Sequence, residues 1–365
     1  MASRRGVLTG LSTNVLVLGL VSLLTDVSSE MIYPILPLFL TGIGATGAVI
    51  GLIEGAAETT ASLLKVVSGR LSDMLGKRKP FLTSGYGLST VAKPLLFFAT
   101  SYWHVFAVRI LERTGKGLRS APRDALIADS TNKEIMGKAY GVHKAMDSTG
   151  AVIGPLLVVP VLLAAATVTT DTYRSIFLLA TIPAALAVGV LFLFVKEPER
   201  KAPRATGRMW KDVNRLGGGF WALIAVVLIF FAGEISYSFF VLQSQAQGMG
   251  TIATILLYTL FNAVFVLVSL PSGIYSDRVG RRPILSLSFV LFAVTCLVMA
   301  SADGLPLLIA GFMLYGVYKG MSEGAFKAFV VDMVPQDLRG TALGVYHTAV
   351  GLVMLPGGLV AGLLW

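Results

Sequence analysis

The chain is short of charge. Asp, Glu, Lys and Arg make up 14% of its 365 residues, against about 25% in soluble domains. It has a single cysteine, so no intrachain disulfide can form. Cys296 lies in an apolar run and reads as a small packed hydrophobe. The three histidines, His104, His143 and His347, show no metal-ligand spacing. No metal or cofactor is expected. No nucleophile elbow or phosphate loop marks an enzyme, and no appended soluble domain marks a receptor.

What the chain has in excess is apolar surface. Hydrophobic residues make up 55% and the mean hydropathy is +0.77. A helix needs about 20 apolar residues to cross a bilayer. Residues 176–195, IFLLATIPAALAVGVLFLFV, carry no charge, and 220–233 and 283–301 read alike. An all-α membrane protein follows. Spans are expected near 11–40, 46–69, 80–100, 103–128, 139–167, 174–195, 219–242, 250–272, 283–301, 305–330 and 341–365. The N-terminus starts like a signal peptide, with Arg4 and Arg5 before an apolar stretch. It lacks a small-residue cleavage site and the apolar pattern runs on to Leu40, so it reads as an uncleaved first span.

The net charge of +10 would suit a nucleic-acid binder, but its placement does not. Loops between these spans alternate sides. One side collects Arg4 and Arg5, then Arg70 and Lys77 to Lys79, then Lys116, Arg119, Arg123, Lys133 and Lys138, then the basic residues of 196–215, Arg278, Arg281, Arg282 and Arg339. The other side carries Arg174 alone. The positive-inside rule makes the basic side cytoplasmic, with the N-terminus inside a cytoplasmic (inner) membrane. The partners expected are the lipid bilayer and a small molecule, with no nucleic acid.

The chain repeats itself. Residues 69–80, GRLSDMLGKRKP, match 273–283, GIYSDRVGRRP, at an offset of 204. The match pairs Gly69 with Gly273, Asp73 with Asp277, Gly76 with Gly280 and Arg78 with Arg282. At an offset of 203, Lys116-Gly117 fall on Lys319-Gly320, Asp129 on Asp332 and Gly154 on Gly357. A Pro-rich basic stretch separates the copies. The expected organisation is a six-helix bundle over 1–195, a cytoplasmic linker over 196–218 and a second bundle over 219–365 with five helices. A repeat of six spans is the signature of a transporter whose substrate binds between two bundles.

These motifs resemble those of the major facilitator superfamily over the whole length. GRLSDMLGKRK is similar to that family's G-x-L-x-D-x-x-G-R-K motif between spans 2 and 3. The resemblance implies a latch between the halves, formed by Gly69, Asp73, Gly76 and Arg78 and by Gly273, Asp277, Gly280 and Arg282. Span 4, RTGKGLRSA from Arg113, resembles R-x-x-Q-G-x-G-A-A, with Lys116 in place of Gln and Arg119 in place of Gly. In proton-coupled relatives the arginine at the position of Arg113 is tied to coupling. GAVIGP, with Gly150, Gly154 and Pro155, looks like the span 5 motif of exporters that exchange protons for drugs. The family has twelve spans, so the chain reads as lacking the last.

Ionisable residues inside a membrane are expensive and mark function by default. Asp26 and Glu30 share a face of span 1, and Glu54 and Glu58 a face of span 2, four residues apart. Arg109, Glu112, Arg113 and Lys116 line one side of span 4, where Glu112 can neutralise Arg109 and Lys116. Lys93 stands alone in span 3 and Glu234 in span 7. Lys144 pairs with Asp147 in span 5, and Lys319, Glu323 and Lys327 form an i,i+4 ladder in span 10. Proton-coupling candidates are Asp26, Glu30, Glu112, Arg113 and Glu234. Substrate-cavity candidates are Lys93, Arg109, Lys144, Lys319 and Glu323. The expected function is a monomeric secondary transporter, with proton-coupled (or sodium-coupled) efflux of a small molecule as its mode. A carrier of organic anions, held by Lys93, Arg109 or Lys319, is the alternative.

Overall fold

In hydrocarbon every backbone N–H and C=O must be paired within the chain, which leaves helices as the economical way across. The computed structural model describes residues 10–132, 135–197, 213–335 and 338–365, and among these residues the regular structure is helical. Most of the expected linker lies outside the described residues.

The first half contains α1 (Thr13–Ile32), α2 (Leu36–Gly42), α3 (Gly47–Leu75), α4 (Lys79–Leu95), α5 (Tyr102–Asp129), α6 (Met136–Ala164), α7 (Thr170–Leu179) and α8 (Thr181–Phe194). The second contains α9 (Gly218–Ala232), α10 (Tyr237–Ala246), α11 (Thr251–Val279), α12 (Arg281–Ala300), α13 (Leu305–Asp332) and α14 (Arg339–Leu364). Some crossings are helix pairs. α1 breaks before α2 at Tyr33–Ile35, around Pro34. α9 breaks before α10 at Gly233–Ser236, where the Ser236 hydroxyl caps the new helix. α7 runs into α8 through Ala180.

Among the described residues, eight helical stretches are long and apolar enough to cross a membrane. The eleven expected exceed this because α3 and α5 carry more charge than a lone crossing helix tolerates and α4 has only 17 residues. Two boundaries differ with consequences. Residues 69–75 and 273–279, expected in loops, continue α3 and α11 as helix. The fourth expected span, 103–128, agrees with α5 to within one residue at each end and holds Lys116, Arg119 and Arg123 inside the helix. Arg119 is buried over the Tyr86 ring and donates to Ser89. Its charge faces an aromatic ring and a hydroxyl rather than water.

At the end of the bundle where α8 and α9 face the linker, polar side chains clasp the helix ends. Asn14 bonds Ser130 at 3.0 Å and the Lys196 backbone on both its donor and acceptor sides. The Glu197 carboxylate accepts from the backbone N–H groups of Arg78 and Lys79, both at 2.7 Å. An acid there satisfies the unpaired N–H groups and the positive dipole at the start of α4.

In lipid, helices are held by close packing more than by the hydrophobic effect, so small residues mark the seams. The GAVIGP motif acts this way: Gly150 and Gly154 on α6 lie against the α1 backbone at Leu23 to Glu30. The seam between halves is tighter. Gly47, Gly51 and Gly55 of α3 abut Gly362, Gly358 and the Met354–Leu355 backbone of α14. A β-carbon at any of these would collide with backbone. At the end away from the linker the halves also meet through Tyr173 and Thr251, 3.2 Å apart, and through Trp365, which packs against Gly47. Towards the linker, Lys144, Glu323 and Lys327 have side chains 54%, 47% and 44% exposed.

Gly358→Leu should wedge α3 from α14. Overpacking of this kind costs about 1–3 kcal/mol, so the purified variant should unfold several degrees lower in a thermal melt, whereas Gly137→Leu, with open space around it, should not.

Candidate functional site

The charges on α3 and α5 interlock. Glu54 and Glu58 are four apart on α3, as are Arg109 and Arg113 on α5. Glu54 accepts two bonds from Arg109, at 3.0 and 3.2 Å. Glu58 lies 2.8 Å from Arg113 in an ionic contact without the alignment of a hydrogen bond. Glu112 adds a bond from Arg109 at 2.7 Å and a longer contact to Arg113 at 3.6 Å. The ring of Tyr33, at the α1–α2 break, lies 5.2 Å from both guanidinium groups. Its hydroxyl donates to Glu112 at 3.4 Å. Both arginines are 2% exposed. Arg109, Arg113, Glu54 and Glu112 are thus taken out of water together, the arrangement that makes burial of ions tolerable, while Glu58 keeps a side chain 35% exposed.

Between the halves lies a cavity of about 250 Å³. Glu54 and Glu58 reach it from α3, Glu234 and Tyr237 from the α9–α10 break, and Tyr315 and Lys319 from α13. Lys319 bonds Glu234, and the Tyr318 hydroxyl donates to the same oxygen at 2.7 Å. The second Glu234 oxygen and the Tyr237 hydroxyl are buried without a partner among the described residues. The expected Lys319–Glu323 rung is not made. Lys319 reaches across to α9, where the Glu234 carboxylate is buried and has no other cation among the described residues, while Glu323, on the exposed side, keeps Lys327 at 3.1 Å. Glu112 likewise takes the arginines on either side rather than Lys116.

Other expected site residues lie elsewhere. Lys93 does not reach the inter-half cavity. It is buried inside the first half, bonded to the hydroxyls of Ser28 and Ser29, beside a small void shared with Tyr33 and Arg109. Lys144 pairs with Asp147 at 3.1 Å, as the spacing suggests, and lies over the Phe265 ring of α11. Glu30 is bonded from the other half: Tyr258 donates at 2.8 Å and Asn262 at 3.2 Å. Asp26 lies on the same helix, packed against Gly150.

The repeated loop motif folds the same way twice, with one shift. Arg78 bonds Asp73 and Ser72 and reaches Asp129 at the end of α5, 3.4 Å away. In the second half this role falls to Arg281, which bonds Asp277, Ser276 and, at 3.1 Å, Asp332. Arg282, expected as the partner of Arg78, lies over the Phe329 ring instead. The turn after Gly280 is one residue shorter than that after Gly76, so the geometric offset becomes 203. Both glycines have positive φ, 65° and 94°, which favours glycine. The glycines at the head of the motif differ in surroundings: Gly69 faces Ala121, while Gly273 has open space. Among the described residues, the bonds drawn by Arg78 stay in its own half or at Glu197, and those of Arg281 stay in the second half. These bonds of Arg78 and Arg281 clamp each motif within its own half.

The candidate residues chosen from sequence left out Glu54 and Glu58, although their spacing equals that of Arg109 and Arg113. Four further participants had no charge to announce them. Tyr33 and Tyr237, with rings 6.3 Å apart, are repeat partners at an offset of 204. Tyr258 and Asn262 share that signal, since the same offset sets them against Glu54 and Glu58.

Two bundles of helices, related by an internal repeat and closing on a charged mid-bundle cavity, define the architecture of a membrane transporter. A family model described as the Major Facilitator Superfamily matches residues 18–266 and 242–365, and the chain belongs to that family. It is 36% identical over 361 residues to an uncharacterized MFS-type transporter of Methanocaldococcus jannaschii, covering 97% of this chain and 89% of that one. It is 25% identical over 362 residues to the multidrug resistance protein MdtH of Aeromonas hydrophila, covering 95% and 86%. Among solved structures, a point mutant of the nucleoside transporter NupG superposes with a TM-score of 0.81 at 14% identity, covering 96% and 91%.

Two outcomes follow from the ion pairs. Glu54→Gln leaves Arg109 buried with a single carboxylate, and breaking a buried pair from one side costs about 3–5 kcal/mol. A large drop in melting temperature is expected, partly regained in Glu54→Leu/Arg109→Met. For the clamp, Arg281→Gln should lower the melting temperature more than Arg282→Gln; the reverse order would restore the sequence alignment over the geometry.

Proposed function

We propose that this protein is a secondary active transporter that carries a small molecule across the cytoplasmic membrane by alternating access, with proton-coupled efflux as its mode. The observation that carries the reading is the cavity between the halves, where Glu234, Glu54 and Glu58 meet under a closed far end. The end bearing the linker is taken as cytoplasmic on the distribution of Lys and Arg. The contacts at the far end then separate the cavity from the side opposite the cytoplasm. A carboxylate in such a place can carry a proton across when the halves rock. Efflux is supported by the Gly150–Gly154–Pro155 seam against α1 and by the likeness to a protein named for multidrug resistance.

The organic-anion alternative has less in its favour. Arg109 and Arg113 are paired with Glu54 and Glu58, the residues that line the cavity on that side, Lys319 is held by Glu234, and Lys93 lies inside the first half. An anion entering here meets three carboxylates and one ammonium, Lys319, that is already neutralised by Glu234.

The test is proton movement. In respiring everted vesicles, acridine-orange fluorescence should rise when a transported compound is added, across a panel that includes ethidium as a cation and carboxyfluorescein as an anion. Glu234→Gln and Glu30→Gln should each abolish the signal. Transport that persists without a pH gradient and ignores both substitutions sinks the coupling; a response to carboxyfluorescein alone, lost in Lys319→Gln, favours the anion reading.

A further inference from the structure

The repeat places a glutamate–lysine pair in each half, and only one of them is closed. Glu30 and Glu234 correspond at an offset of 204, and Lys116 and Lys319 at 203. In the second half Lys319 bonds Glu234. In the first half Glu30 accepts from Tyr258 and Asn262 instead, across the seam. Lys116 has no carboxylate within ion-pair distance among the described residues, although Asp26, Glu30, Glu58 and Glu112 are near enough for their charges to act on it. Lys116 is half-buried, and an ammonium in the middle of a membrane helix without a bonded partner is unfavourable, which calls for a reason.

The same repeat supplies one. Tyr258 and Asn262 on α11 correspond to Glu54 and Glu58 on α3, both at an offset of 204. Glu30 therefore faces two donors across the seam, and Glu234 faces two carboxylates. A carboxylate facing donors has no need of its own lysine; one facing carboxylates does. The asymmetry of the two pairs follows from what stands opposite each.

Building on the transporter reading above, we propose that Glu30 changes partners as the halves rock. It takes Tyr258 and Asn262 while the far end is closed, and Lys116 of its own half when the far end is open. Parting α1 from α11 removes both donors from a carboxylate that remains in the membrane. Lys116 is the group of the same half placed to replace them, as Lys319 does for Glu234. Lys116 is then a positioning residue for the Glu30 carboxylate. Its ammonium sets how readily that carboxylate stays charged in the far-open conformation. The Lys116 ammonium and a proton are alternative occupants of one site.

The test reads conformation rather than transport, so it can fail independently of the transport reading. Ile255 is fully buried on α11, three residues before Tyr258 on the same face. In the full chain in nanodiscs, with Cys296→Ser, the reaction of Ile255→Cys with a maleimide measures how often the far end opens. Tyr258→Phe should speed labelling. Lys116→Gln should slow it about tenfold, which corresponds to about 1.4 kcal/mol, and Lys116→Arg should restore the parent rate. In a Glu30→Gln background, Lys116→Gln should have no further effect. The proposal is overturned if Lys116→Gln leaves labelling unchanged, if it slows labelling equally with and without Glu30, or if folded Ile255→Cys protein never labels in any variant. A thermal melt on each variant separates slowed opening from misfolding.

Discussion

The desolvation of charge governs this structure. Removing one ion from water costs several kcal/mol even after the protein relaxes, and this chain removes many. A helix bearing one is positioned by the helix that carries its counter-ion, as for Glu54, Glu58 and Glu234, or its neutral bonding partners, as for Lys93, Arg119 and Glu30. The register of α3 on α5 follows from Glu54 and Glu58 meeting Arg109 and Arg113, and the position of the α9 break from Glu234 meeting Lys319. The apolar residues keep these helices in the membrane; the charges decide how they stand against one another.

The two halves share a plan but not a chemistry. In the first half the mid-bundle is an ionic lattice with Tyr33 set between its arginines. In the second, the positions equivalent to Arg109 and Arg113 are Phe312 and Gly316, and an aromatic cluster of Phe230, Phe292, Tyr315 and Tyr318 fills the corresponding space. One half is stiffened by directional ion pairs, the other by ring contacts that tolerate sliding. A cavity between them joins a fixed polar wall to a more adaptable aromatic one.

Much of the fold was legible because its signals are local: apolar run length, the repeat, and glycines spaced along one helix face. The GAVIGP seam is an example, since i,i+4 glycines on α6 can only serve a neighbour's approach. What was not legible depends on tertiary choice. Lys319 had Glu323 one turn away and chose Glu234 on another helix, because burial makes the distant acid the more demanding partner. Arg282 aligned with Arg78 by sequence, yet the shorter turn after Gly280 brings Arg281 into place. Lys93 has the composition of a cavity residue, but its direction is set by how α4 rotates against α1, which no periodicity in its own helix reveals. Tyr258 and Asn262 are ordinary residues in an apolar helix until the repeat is laid over them.

The α3–α14 seam has a mechanical consequence. Backbone rests on backbone at Gly47–Gly362 and Gly51–Gly358, with no side chain between. Such a joint has no rotamers to repack and no slack to absorb. On the alternating-access reading proposed above it is the natural fulcrum: halves that tilt about it exchange width at one mouth for width at the other, with a leverage set by how far each mouth lies from those glycines.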